Sequence, residues 1–261
     1  MSTDETIYFD CNASFGSPMA GLVRPCQTAS DLLAEMDWCG VERALVWHTL
    51  MKEQSPVVGN RVLAEQIAGQ PRLVGAWAIL PPQTGELPAG AAFFEAMRRE
   101  GARALWAFAD EHRYLLNRAT WGSFLDEVAE RRVPLFVPRH SALRASPSSM
   151  WRDIHGLLAD YPTLTLVIAA HGCWGEDRYF RPLLEAYPNV HLDLSRYEVD
   201  GGLLGLVQRY GPERLLYGSA FPETPMGGAR MMLARAAMSP EARRMIAGAN
   251  LERLLAKAVL S

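Results

Sequence analysis

The chain has 261 residues, with 26 Lys and Arg against 29 Asp and Glu for a formal net charge of −3, so no field favours nucleic acid or an anionic membrane surface. Apolar residues make up 49% and charged residues 21%, the balance of an ordinary globular protein, which excludes a disordered or fibrous chain. The length is one that a single α/β barrel routinely uses, and no linker, repeat or low-complexity tract divides it, so one domain over residues 1–261 is expected.

The opening MSTDETIYFD has no basic segment followed by an apolar one. No later window reaches the ~18 uninterrupted apolar residues of a bilayer span, so a cytoplasmic protein is expected. Cys11, Cys26, Cys39 and Cys173 show no CxxC spacing, which argues against a zinc ribbon, a redox motif or a disulfide framework and predicts reduced, mostly buried thiols.

In chain order, short apolar runs rich in β-branched and aromatic residues stand at 7–10, 43–48, 73–80, 102–108, 133–140, 164–171, 190–195 and 214–220. Amphipathic stretches lie between them, at 29–38, 60–68, 91–100, 121–131 and 177–187, the pattern of βα units around a parallel sheet. Nearly continuous apolar strands such as LTLVIAAH must be covered on both faces. Eight units fit a closed TIM-like (β/α)8 barrel better than an open doubly wound sheet. The first turn, CNASFGSP, has no GxGxxG, and no GxxxxGK[ST] occurs, so the backbone cradle for a nucleotide phosphate is missing. Residues 240–260 read as helices closing the barrel, with Asn250 as a cap before LERLLAKAVL.

In such a barrel, chemistry sits at the carboxyl ends of the strands, and side chains alternate between interior and helix layer. His140 ends the fifth strand and His171 the sixth, so two imidazoles stand at the mouth on adjacent strands. There they can bind a divalent metal, exchange protons or hydrogen-bond an anion. On the seventh strand the same alternation turns His191, Asp193 and Ser195 inward, with His191 deepest.

FDCNASFGSP, VPRHS, AAHGCWG, YPNVHLDLS, and RLLYGSAFPETP followed by AGANLERLL together resemble the amidohydrolase-2 branch of the metal-dependent amidohydrolase superfamily. The resemblance implies a (β/α)8 barrel whose relatives hydrolyse C–N and C–O bonds or decarboxylate small aromatic or dienoic acids. It also implies a D-x-H-x-H first strand and a G-S-D-x-P eighth strand that supply metal ligands. Here Asn12 and Ser14 stand at the two histidine positions and Ala220 at the aspartate, while His140 and His171 keep the middle pair.

Two histidines with an amide and a hydroxyl make a poor set for a catalytic zinc, which ordinarily has three protein ligands and a water. No cofactor is therefore expected, with zinc or another divalent metal as the alternative. Alternation sends Cys11 outward if Asn12 and Ser14 face inward, so it is read as packing against helices. His48, His191 or Asp193, and Glu223 are the candidates for rebuilding a metal site. Asp10 reads as a structural carboxylate. Arg139 alternates away from His140, towards the helices or the rim, and Trp106, Trp174 and Phe221 are candidates to wall an apolar pocket.

The reading is a divergent hydrolase or decarboxylase for a small carboxylated or carbonyl-bearing compound. His140 and His171 are its catalytic pair and Asn12 and Ser14 orient the substrate. Arg144 or Arg196 clamps a carboxylate and Trp174 lines the pocket. A metal hydrolase with a rebuilt site and an inactive small-molecule-binding relative are the competing readings. The partner is a small molecule rather than nucleic acid or membrane, and pairing into a homodimer is left open.

Overall fold

Eight parallel strands hydrogen-bond in chain order: β1 (Phe9–Phe15), β2 (Arg43–His48), β3 (Leu73–Ala78), β4 (Ala102–Trp106), β5 (Leu135–Pro138), β6 (Leu166–Ala169), β7 (Val190–Asp193) and β8 (Leu215–Leu216). The structure is a computed structural model in which residues 6–19, 22, 25–139, 147–169, 176–199 and 201–261 are described. The Cys11 N–H donates to the Tyr217 carbonyl at 2.8 Å and the Ser14 N–H to the Phe221 carbonyl at 2.8 Å, while Ala13 bridges Phe221 in parallel. These contacts join the first strand to the last and close the sheet into a TIM barrel, as the eight-unit pattern predicts.

The helices α1 (Ala29–Cys39), α2 (Thr49–Glu53), α3 (Pro56–Ile67), α4 (Ala91–Arg99), α5 (Arg118–Trp121), α6 (Phe124–Glu130), α7 (Pro147–Asp160), α8 (Asp177–Ala186), α9 (Gly202–Tyr210), α10 (Met226–Arg235), α11 (Pro240–Arg244) and α12 (Asn250–Ala256) wrap the sheet. Their starts are written locally. Thr28 caps α1 by accepting from the Asp31 N–H at 3.1 Å while the Asp31 carboxylate accepts from the Thr28 N–H at 2.9 Å. Ser55 before Pro56 and Ser239 before Pro240 repeat the pairing of a hydroxyl cap with a proline in the first turn. Gly40 ends α1 at φ 64°, where an L side chain would be strained. Among the described residues no helix is long and apolar enough to cross a membrane.

Asn60, buried in α3, grips the end of β3 with both amide atoms. Its Nδ2 donates to the Ala78 carbonyl at 3.0 Å and its Oδ1 accepts from the Ala78 N–H at 2.9 Å. Asn60→Ala strands both backbone groups in an apolar layer and is expected to cost about 2 kcal/mol in urea unfolding.

Three expectations are corrected. The first strand runs over Phe9–Phe15 and not 7–10, because Asn12 and Ser14, polar enough to resemble a turn, are buried in the strand with partners of their own. Cys11 does not turn out to the helices. The register steps three residues along β1, from Asp10 to Ala13, against two along β2, from Ala44 to Val46, so one extra residue resets the alternation. Cys11 Sγ hydrogen-bonds Asp193 and lies beside Gly218, and burial holds its thiol pKa well above the ordinary value. Asn250 is no cap: it sits inside a helical run, and its Nδ2 ties Pro212 O at 2.7 Å and Leu215 O at 2.9 Å to the C-terminal helices. Cys26 is a buried free thiol and Cys39 a half-buried one, whereas Cys173 lies outside the described residues.

Candidate functional site

The carboxyl ends of β1, β2, β4, β5, β7 and β8 converge on one cleft. Asn12, Ser14, Trp47, Trp106, Phe108 and Ala220 form its walls, and Lys52, Arg196 and Glu223 form its rim. Aromatic packing makes the walls rigid. Trp106 and Phe108 stack with centroids 5.4 Å apart and planes 2° from parallel, and Trp47 leans on both, at 5.8 and 5.3 Å.

Beneath the aromatics lies a polar chain across the barrel. The Trp47 indole donates to Asn12 Oδ1 at 3.1 Å, and Asn12 Nδ2 donates to Asp193 Oδ2 at 2.9 Å. Asp193, 0% exposed, also accepts from the Ser195 hydroxyl at 2.8 Å and, through Oδ1, from the Ser195 N–H at 2.8 Å. His191, Asp193 and Ser195 thus follow the alternation read from the sequence, with His191 deepest, its Nδ1 3.0 Å from Asn189 O. Asp10 stitches β1 to the end of β8: its Oδ1 accepts from the Asn12 and Ser219 N–H groups at 2.9 and 3.0 Å. Burial pushes the Asp10 carboxyl up to about 6 against those hydrogen bonds.

The last strand leaves regular pairing early. After Gly218, where a Cβ would come 2.1 Å from Asp193 Oδ1, Ala220 turns to φ 52°. The Ser219 hydroxyl holds the Phe221 N–H at 3.0 Å, and the Thr224 hydroxyl holds the Ser219 carbonyl. This turn directs Glu223 back over the cleft, where it pairs with Arg196 at 2.8 Å and Lys52 at 3.6 Å. The space under this pair is about 40 Å³. One wall donor, Trp106 Nε1, and one rim donor, Arg196 Nε, have no hydrogen-bond partner among the described residues.

Of the residues singled out in the sequence, Asn12, Ser14 and Arg196 are brought together in this cleft, as are Trp106 and Phe221. His140, His171, Arg144 and Trp174 lie outside the described residues. His48 is not in the cleft: its Nδ1 accepts from the Leu50 N–H at 3.2 Å, capping α2, its ring packs edge-on against Phe15 at 5.3 Å, and burial lowers its pKa. Arg139 pairs with the buried carboxylate of Glu176. Sequence reasoning missed Trp47 and Lys52. Trp47 was visible only as an apolar strand residue, and Lys52 only as a charge between the second strand and the next amphipathic stretch.

Residues 22–257 match the model of a family described as Amidohydrolase; β1 lies before the matched segment. No curated protein matches the sequence. Among solved structures, a 5-carboxyvanillate decarboxylase from Novosphingobium aromaticivorans, complexed with manganese and 4-hydroxy-3-methoxy-5-nitrobenzoic acid, aligns with a TM-score of 0.77 at 12% identity, over 98% of this chain and 97% of that one. A dihydroxybenzoic acid decarboxylase from Polaromonas, with manganese and the inhibitor 2-nitroresorcinol, aligns at 0.74 and 17% identity, over 96% and 97%. A 2,6-dihydroxybenzoate decarboxylase from Rhizobium aligns at 0.72 and 17%, over 96% and 99%. At these identities the likeness is one of fold.

Proposed function

Starting from the fact that the chain belongs to the amidohydrolase family, we propose that it hydrolyses or decarboxylates a small carboxylated, carbonyl-bearing or aromatic compound at the barrel mouth, without the metal set that the family pattern implies. The observation that carries this reading is the pair of unsatisfied donors, Arg196 Nε at the rim and Trp106 Nε1 in the wall of an aromatic cleft. A carboxylate or ring hydroxyl that reaches them once the rim pair opens gives both an acceptor. Entry requires the Glu223–Arg196 pair to open, since the closed space is too small for a benzoate, and the incoming carboxylate then takes the place of Glu223 on Arg196. Two of the solved structures described above carry a nitrobenzoic acid and a nitroresorcinol in the same fold.

Among the described residues, the donors at the mouth do not fit the manganese bound by two of those relatives. The Asn12 carbonyl accepts from Trp47 and its amide faces Asp193, the Ser14 hydroxyl donates to Phe221 O at 3.3 Å, and Ala220 has no ligand atom. The candidates for a rebuilt site are engaged otherwise: His48 caps a helix, Glu223 pairs with two cations, Asp193 accepts from Asn12 and Ser195, and His191 Nδ1 meets Asn189 O. In this reading His140 and His171 transfer protons, Arg144 and Arg196 hold the carboxylate, Trp174 adds to the apolar wall, and Asn12 and Ser14 orient the substrate.

The test is turnover of 2,6-dihydroxybenzoate and 5-carboxyvanillate followed chromatographically, with binding measured by calorimetry, before and after exhaustive chelation. Turnover is expected to survive chelation. Arg196→Ala should weaken binding about tenfold, and His140→Ala or His171→Ala should lower turnover at least about tenfold in folded protein. Turnover strictly dependent on added manganese overturns the metal-free reading. Unchanged binding and turnover in all three variants overturns the site.

A further inference from the structure

A polar cavity of about 600 Å³ lies at the end opposite the mouth, beneath the amino-terminal ends of β5–β8. Its charged lining comes from three places. Glu130 and Arg132 flank the turn before β5, Glu213 and Arg214 precede β8, and Arg253 and Lys257 project from α12 and the residue after it. That is four cations against two carboxylates, and among the described residues none of the six forms an ion pair. Arg214 and Arg253 are braced by backbone carbonyls instead. Arg214 donates to Leu184 O at 2.7 Å and Tyr187 O at 3.3 Å, and Arg253 to Glu213 O at 2.8 Å. Both guanidinium groups are therefore held in place with donors to spare.

At the base of the cavity sits His191, only 9% exposed. Its Nδ1 is committed to Asn189 O, which leaves Nε2 without a partner among the described residues. Burial first, and then the nearby charges of Arg214, Arg253 and Lys257, lower its pKa to about 4. A neutral ring below uncompensated cations is what a site looks like when the negative charge that completes it comes from outside.

We propose that this cavity is a binding site for a small oxyanion of charge −2 or more, a phosphate ester or a polycarboxylate, held by Arg132, Arg214, Arg253 and Lys257 and reached from below by His191 Nε2. The bound anion offsets the cationic field on the ring, so binding takes up a proton and tightens as the pH falls. The rim cations are exposed, so affinity also falls with added salt.

Calorimetry at low ionic strength with sulfate, inorganic phosphate and citrate tests this. Sulfate keeps its charge from pH 7 to 5, and the other two distinguish a phosphate site from a carboxylate site. One saturable site is expected, with sulfate tightening about tenfold between pH 7 and 5. Arg253→Ala combined with Lys257→Ala should weaken it at least about tenfold while leaving the melting temperature in anion-free buffer unchanged. His191→Gln should keep the binding and abolish the pH dependence. No saturable heat with any of the three anions, equal affinity in the double variant, or a pH gain that persists in His191→Gln overturns the proposal.

Discussion

Asp193→Ala is expected to destabilise the protein by about 3–5 kcal/mol, the largest loss from any single side chain at the mouth. Asp193 is fully buried and accepts from the Ser195 N–H, the Ser195 hydroxyl, Asn12 Nδ2 and Cys11 Sγ. Alanine leaves these buried donors without their common acceptor. The midpoint of thermal unfolding should fall by roughly 10 °C. Gly218→Ala attacks the same carboxylate from β8, since a Cβ there lies 2.1 Å from Asp193 Oδ1 and 3.0 Å from Cys11 Sγ. Its cost should be similar, and the two losses should not add in the double variant, because they disrupt one network. A loss below about 1 kcal/mol for Asp193→Ala, read by denaturant unfolding, would mean that the chain from Trp47 to Ser195 is not what holds the mouth together.

The parts of this molecule legible in its sequence are those written in local patterns. The runs at 43–48, 73–80 and 102–108 contain β2, β3 and β4 because apolar continuity over four to eight residues has a local cause, burial on both faces of a parallel strand. The closing helices over 240–260 were equally visible. What stayed hidden depends on partners far away in the chain. Asn12 and Ser14 look like turn residues until Trp47, Asp193 and Phe221, from 35 to 207 positions away, satisfy them. The single extra residue in β1 has no signature of its own, yet it brings Cys11 round to Asp193. The pairing of Arg196 with Glu223 likewise joins two loops that no periodicity connects. Strand-end logic picked out Arg196, which lies at the rim of the cleft, but only the return of the chain after Ala220 explains what it touches.

Two buried titrating groups should oppose one another in acid, and variants will separate them. His191 has a folded pKa of about 4 against an unfolded value near 6.5. Above pH 6.5 it is neutral in both states and contributes nothing. Between 6.5 and 4 only the unfolded chain takes up the proton, so stability falls as pH falls, by about 3 kcal/mol in all. Asp10 runs the other way. Its folded pKa of about 6 lies above the unfolded 3.8, so the folded state holds a proton that the unfolded state has lost, and stability rises by about 3 kcal/mol as the pH drops from 6 to 3.8. In the wild type these contributions nearly cancel. Relative to wild type at each pH, His191→Gln should gain about 3 kcal/mol between pH 7 and 4, and Asp10→Asn should lose a similar amount. Taking differences removes the surface carboxylates common to all three proteins. Urea unfolding at four pH values measures both slopes, and parallel profiles would show that neither group keeps its burial-shifted pKa in solution.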